Sequence, residues 1–196
     1  DTAADELPAF DDSIWYIAIS SVGGVTGDRQ FPGIDVSTPA AMGAESLVVL
    51  DGATGDFQLI TDVPYDPTPR LNGLSPIGAI PEPNEDGLYS LASFIVNHNA
   101  QYQSEAKSIM PEIRYYSPGA LQRGNSVKDT LSHFELGEEG TLEIRLPWLS
   151  LMVTDPSSLQ ALFDDPSTDG FDSTTIDGVR VMVAVAKATD DGPVLL

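Results

Sequence analysis

The hydrophobic and polar positions of this chain alternate in short runs broken by turn residues, the pattern of β-strands rather than of helices. SIWYIAISSV (13–22), rich in β-branched and aromatic residues, predicts a first strand. Two apolar runs, 47–50 and 57–60, flank the turn sequence DGATGD and predict a β-hairpin. Strand-like patterns recur at 88–97, 112–117 and 141–148. VRVMVAVAKA (179–188) is apolar almost throughout, which predicts a strand buried on both faces. Two segments read as short helices. NAQYQSEAKSIM (99–110) would be capped by Asn99. The second would start at Asp155, with Pro156 in the first turn and Leu159, Leu162 and Phe163 on one apolar face. Residues 62–87 carry Pro64, Pro67, Pro69, Pro76, Pro81 and Pro83, the mark of irregular chain. The sum is an all-β fold: an antiparallel β-sandwich, jelly-roll-like, with one or two short helices. Residues 1–12 read as a linker or domain edge and 13–196 as a single domain. The acidic lead-in and the abrupt end predict that it is excised from a longer protein.

Charge sharpens this picture. The 196 residues suffice for one domain with a proper core. They carry 30 acidic against 9 basic side chains, a net charge of −21, and aspartate supplies 20 of the acids. Such a chain repels phosphate backbones and anionic membrane surfaces, which excludes nucleic acid as a partner. No stretch reaches the ~20 apolar residues of a membrane span, so this segment inserts into no membrane as a helix. Self-repulsion at this charge destabilises a compact state at low salt, which points to a halophilic source, a calcium-rich extracellular setting, or an acidic secreted protein. The expected location is extracellular or at the cell surface. The absence of cysteine removes disulfides and thiolate metal sites.

Residues 129–158, DTLSHFELGEEGTLEIRLPWLSLMVTDPSS, resemble a C-terminal module of large bacterial surface and membrane-associated proteins. The Leu-Pro-Trp corner at Leu146, Pro147 and Trp148 is similar to that of carbohydrate-binding module family 9 and DOMON-like sandwiches. SIWYIAI and FPGIDVSTP are similar to an early strand and a turn of those folds. The resemblance covers about 80 residues in three patches. It implies a β-sandwich with a non-catalytic accessory role that extends to sugar binding. Family 9 modules hold a sugar end between two loop tryptophans, whereas Trp15 and Trp148 here fall within or at the end of strands.

Strand alternation in LEIRLPW places Leu142, Ile144, Leu146 and then Trp148 on one face, which makes Trp148 a core residue. Trp15 shares a face with Ile17 and Ile19. A sugar site would then be assembled from Tyr65 and Tyr116 with Asp62 or Asp66, although tyrosine on a half-exposed strand needs no ligand. DPSTDGFDSTTID (165–177) is the candidate calcium loop, through Asp165, Ser167, Asp169 and Asp172. It opens like an EF-hand but has Ile176 where the bidentate glutamate belongs, so the alternative is a solvated acidic turn. His98 and His133 lack zinc spacing. Glu135, Glu138, Glu139 and Glu143 could form a glycosidase carboxylate pair, but two sit in the GEEG turn and Glu143 lies beside Arg145 on the outward face, the setting of an exposed ion pair. Three functions remain open: a non-catalytic carbohydrate-binding module with structural calcium, a structural or protein-interaction module that orients neighbouring domains, and a glycoside-active enzyme.

Overall fold

The computed structural model describes residues 9–22, 26–34, 39–66, 83–95, 103–104, 107–108, 115–116, 118–124, 132–163 and 172–196. Sixteen strands run along them. β1 (Ser13–Ser20), β2 (Ser46–Asp51), β3 (Asp56–Asp62) and β4 (Tyr89–Leu91) come first. The two-residue strands β5 (Phe94–Ile95), β6 (Gln103–Ser104), β7 (Lys107–Ser108), β8 (Tyr115–Tyr116) and β9 (Gln122–Arg123) follow. The last are β10 (His133–Leu136), β11 (Leu142–Arg145), β12 (Val153–Asp155), β13 (Gln160–Leu162), β14 (Ser173–Thr175), β15 (Arg180–Lys187) and β16 (Val194–Leu195). The fold is all-β, and every pairing is antiparallel except that of β9 with β10.

A six-stranded sheet in the order β16-β15-β1-β2-β3-β4 is the centre of the molecule. β1 sits inside it, paired along its length with β15 on one side and β2 on the other. Its alternate residues face opposite ways, and both sets are apolar, so both faces of the sheet need a cover. Ile17, Ile19, Val48, Leu50 and Leu59 pack against Phe134, Leu151 and Val153 of a second layer, which includes β9, β10 and β11. Phe10, Phe57 and Phe134 lock the two layers together. Phe134 lies edge-on to Phe57 at 4.7 Å between ring centres and 6.0 Å from Phe10. On the other face, Tyr16, Ala18, Leu47 and Ile60 are covered by Phe31, Ile34, Ala40 and Ala44 from the chain between β1 and β2. Phe31 stacks on Tyr16 at 5.1 Å.

The structure departs from the expected pattern in four places. No α-helix occurs among the described residues, which form only short 3-10 turns. Within 99–110 the described residues pair as strands β6 and β7. At Asp155 the chain makes a β-hairpin turn from β12 to β13. The Asp155 carboxylate accepts hydrogen bonds from the hydroxyls of Ser157 and Ser158 and from the Ser157 amide, which push its pKa down to about 2. The capping chemistry of an Asp-Pro-Ser start is therefore present, but it closes a turn. Leu159 in that turn adopts a left-handed φ of 54°, which a helix cannot continue through. Third, β15 is not buried on both faces: Val181 and Val183 are 59% and 54% exposed.

The fourth departure is Trp148, which is 53% exposed. Strand alternation stops at Arg145. Pro147 remains extended and the chain then winds into the 3-10 turn Trp148–Leu151, so parity no longer decides the direction of the ring. Leu151, three residues on, takes the core position instead.

Phe134 is fully buried between the two other rings. Phe134→Ala should therefore cost about 3–5 kcal/mol of unfolding free energy, read as a lower midpoint in urea denaturation. A loss under about 1 kcal/mol would mean that this triad does not tie the layers together.

Candidate functional site

Two features stand out beyond the core: a buried acidic centre at one edge of the central sheet and an apolar cleft at the other. The acidic centre is built by three segments. β3 ends in Asp62, which faces Tyr89 across the β3–β4 pair. Asp28 precedes β2 in a segment that bridges to Ala44 on one side and Asn84 on the other. Asp86 lies two residues beyond Asn84. The close approach of these segments requires glycine at position 27. It holds φ of +80°, and a Cβ there would come within 2.3 Å of the Ala44 carbonyl carbon.

Carboxylate oxygens of Asp28, Asp62 and Asp86 lie within 4.8 Å of one another. Asp28 and Asp62 are fully buried, while Asp86 is exposed. Backbone amides hold the acids in place: Gln30 and Gly87 donate to Asp28 at 2.7 and 2.6 Å, and Leu88 donates to Asp86 at 2.9 Å. The Asn84 side-chain amide donates to Asp62 Oδ1 at 3.4 Å. Among the described residues, Asp62 Oδ2, Asn84 Oδ1 and the Tyr89 hydroxyl are buried with no hydrogen-bond partner.

Burial raises the pKa of Asp28, with the neighbouring Asp86 carboxyl adding to the effect against the Gln30 and Gly87 amides. Burial pushes Asp62 up to about 7, helped by the charges of Asp28, Asp86 and Glu45. The nearby Tyr89 hydroxyl is raised by its own burial and by the same acids. Arg29 does not neutralise the group, because its guanidinium pairs with Glu85 at 3.5 Å and donates to the Ala40 carbonyl at 2.7 Å. Glu45, whose carbonyl accepts from the Asp62 amide, is buried too but is satisfied by Ser20, the Ser21 amide and Thr26.

The apolar cleft, of about 610 Å³, opens between β15 and β11. Ile17 and Ile19 of β1 form its floor. Val181 and Val183 of β15 line one wall, and Leu142 and Ile144 of β11 line the other, with Trp148 at the rim. Val183 is the cross-strand neighbour of Ile17, yet Ile17 is 6% exposed and Val183 54%. The second layer therefore stops short of β15. The outer edge of β15 is also largely open. β16 pairs only with Ala186 and Lys187, and the Leu196 amide reaches the Val185 carbonyl. Since that carbonyl points outward, alternation turns the amides and carbonyls of Val181 and Val183 outward as well. Among the described residues no strand pairs with them there.

The residues named from sequence are scattered by the fold. Tyr65 is buried, 4% exposed, with hydrogen bonds to Thr26 and the Gly27 backbone, and its ring offers no stacking face. Asp66 accepts a hydrogen bond from Ser90. Asp62 lies in the acidic centre beside Asp28 and Asp86 and faces Tyr89. The backbone of Tyr116 lies in β8, and its side chain is outside the described residues. Of the expected calcium ligands only Asp172 is described, with its carbonyl accepting from the Phe163 amide; Asp165, Ser167 and Asp169 lie outside the described residues. Glu143 sits directly opposite Glu135 across β10–β11, and both are exposed, a like-charge pair where the sequence predicts an exposed cross-strand ion pair. The Glu139 side chain is outside the described residues, as is His98. Asp28 and Asp86 give no spacing signal, since they meet Asp62 only through folding.

Comparison with models of known families, with curated proteins and with solved structures finds no match to this chain.

The raised pKa of Asp62 carries a sign. Its folded value of about 7 lies above the unfolded value. Stability is therefore fully present below about pH 4 and is lost as pH rises toward 7. In a divalent-cation chelator, the melting temperature should fall over that interval. Asp62→Asn should flatten the decline and melt higher than wild type at neutral pH. A decline of equal slope in the variant would show that Asp62 is not its source.

Proposed function

We propose that this chain is a non-catalytic accessory β-sandwich module whose task is to dock a protein partner. The partner would be an extended, alternately apolar strand of a neighbouring domain or of another surface protein. One observation carries this reading: the cleft opens beside a β15 edge whose outward backbone groups are free for pairing among the described residues. An added strand would take hydrogen bonds from Val181 and Val183, and its inward side chains would fill the space between them and Trp148. Among the described residues the lining is apolar apart from the indole N–H groups of Trp15 and Trp148, which suits such a strand better than a sugar, whose hydroxyls need donors and acceptors. A second copy is disfavoured as occupant, because two chains of net charge −21 repel one another at low salt. This task fits an extracellular or cell-surface location and the suggested likeness to accessory modules.

The exposed ring of Trp148 favours one competing reading, a carbohydrate that stacks on it from outside the cleft. Selection of a displayed peptide library on the domain, beside a glycan array, separates the two. The expected result is extended peptides of alternating apolar pattern that shift tryptophan emission to the blue. Val183→Glu should weaken their binding at least about tenfold. A glycan binder lost in Trp148→Ala, with no peptide selected, would establish the carbohydrate reading instead.

A further inference from the structure

We infer that Asp28, Asp62 and Asp86 form a binding site for a single hard divalent cation, calcium by its chemistry, at the edge of the central sheet remote from the cleft. The inference does not depend on what the cleft docks. Three carboxylates alone would carry little weight, since acidic clusters are common on acidic proteins. Two further observations set this one apart.

The first is the pattern of unfilled oxygens. Asp62 is fully buried, yet its Oδ2 has no hydrogen-bond partner among the described residues. Asn84, whose amide nitrogen already contacts the same carboxylate, leaves its Oδ1 buried and unpartnered. The hydroxyl of Tyr89, opposite Asp62 across the strand pair, is also buried without a partner. An orphaned buried acceptor costs on the order of 1–3 kcal/mol, and Asp62, which carries one, belongs to the carboxylate trio. A metal ion is a partner that accepts electron pairs from Asp62 and from the carboxylates of Asp28 and Asp86 together.

The second is the orientation of the acids. The amides of Gln30 and Gly87 fix the Asp28 carboxylate and that of Leu88 fixes Asp86, and each carboxylate oxygen has a second lone pair beyond the one so used. The three carboxylates lie within 4.8 Å of one another. That is close enough for one ion at calcium–oxygen distances of about 2.3–2.6 Å to touch all three. Among the described residues the donor set is oxygen throughout, with no histidine, and the chain has no cysteine, which selects a hard ion over zinc or copper. Among the described residues Arg29 does not substitute for it, being engaged by Glu85 and the Ala40 carbonyl. A calcium ion here would join the Asp28 segment, the end of β3 and the segment that carries Asn84 and Asp86.

The test uses the full chain, stripped with chelator and titrated with calcium chloride at constant ionic strength, by calorimetry and by thermal melting. The expected result is one calcium per chain and a rise in melting temperature that magnesium reproduces only weakly. Asp62→Asn should lower calcium affinity roughly a hundredfold, the loss expected for a site residue, while raising the melting temperature in chelator. That crossover separates a ligand from a merely structural acid. Asp86→Asn, on the exposed side, provides a variant with little risk to folding and should weaken calcium to a similar extent. Identical melting curves in chelator and in millimolar calcium would overturn the inference. A calcium response unchanged in both variants would also overturn it, by placing the ion elsewhere or reducing the effect to charge screening.

Discussion

Everything in this molecule depends on covering a central sheet that is apolar on both faces. β1 lies between β15 and β2, and its residues alternate between Trp15, Ile17 and Ile19 on one side and Tyr16 and Ala18 on the other. A strand of this kind cannot leave either face in water. One face is closed by the layer holding Phe134, Leu151 and Val153. The other is closed not by a sheet but by the chain between β1 and β2, with Phe31, Ile34, Ala40 and Ala44 laid over Tyr16 and Leu47.

That second cover explains the acidic centre. An irregular segment packed on a sheet must bury backbone and polar groups that a regular element would satisfy internally. Glycine at position 27 lets the segment run against Ala44, and Asp28 spends its two oxygens on the Gln30 and Gly87 amides. The same closure brings Asp28 against the end of β3, where Asp62 is already buried, and sets Asp86 beside both. In a chain of net charge −21, acids meet acids when loops are drawn together. The structure gathers negative charge at a place where protonation or a cation would relieve it.

On the opposite edge the cover is incomplete. The second layer reaches Ile17 but not its cross-strand neighbour Val183, so valines selected for a core stand at the surface beside an open backbone edge. Natural sheets commonly protect such an edge with charge, proline or a bulge. β15 has Arg180 and Lys187 at its ends and only apolar residues between them. The cleft and the acidic centre thus arise from one cause, a wide sheet that its own chain covers unevenly.

The sequence alone determined the class of fold and the main strands, because period-two alternation and turn chemistry are local properties. β1, the β2–β3 hairpin and β15 follow from residues adjacent in the chain. It also marked Asp62 as a residue of interest and Asp155 as a local hydrogen-bond acceptor. Tertiary structure decided the rest. Whether Asp155-Pro156-Ser157 opens a helix or closes a hairpin depends on whether a partner strand is present, and β12 and β13 pair. Whether Trp148 is core or rim depends on where the chain leaves the strand, which parity cannot state. The union of Asp28, Asp62 and Asp86 is a contact across three segments distant in sequence, and no spacing announces it. Alternation tells which way a side chain points, but only the packed fold decides what it points at.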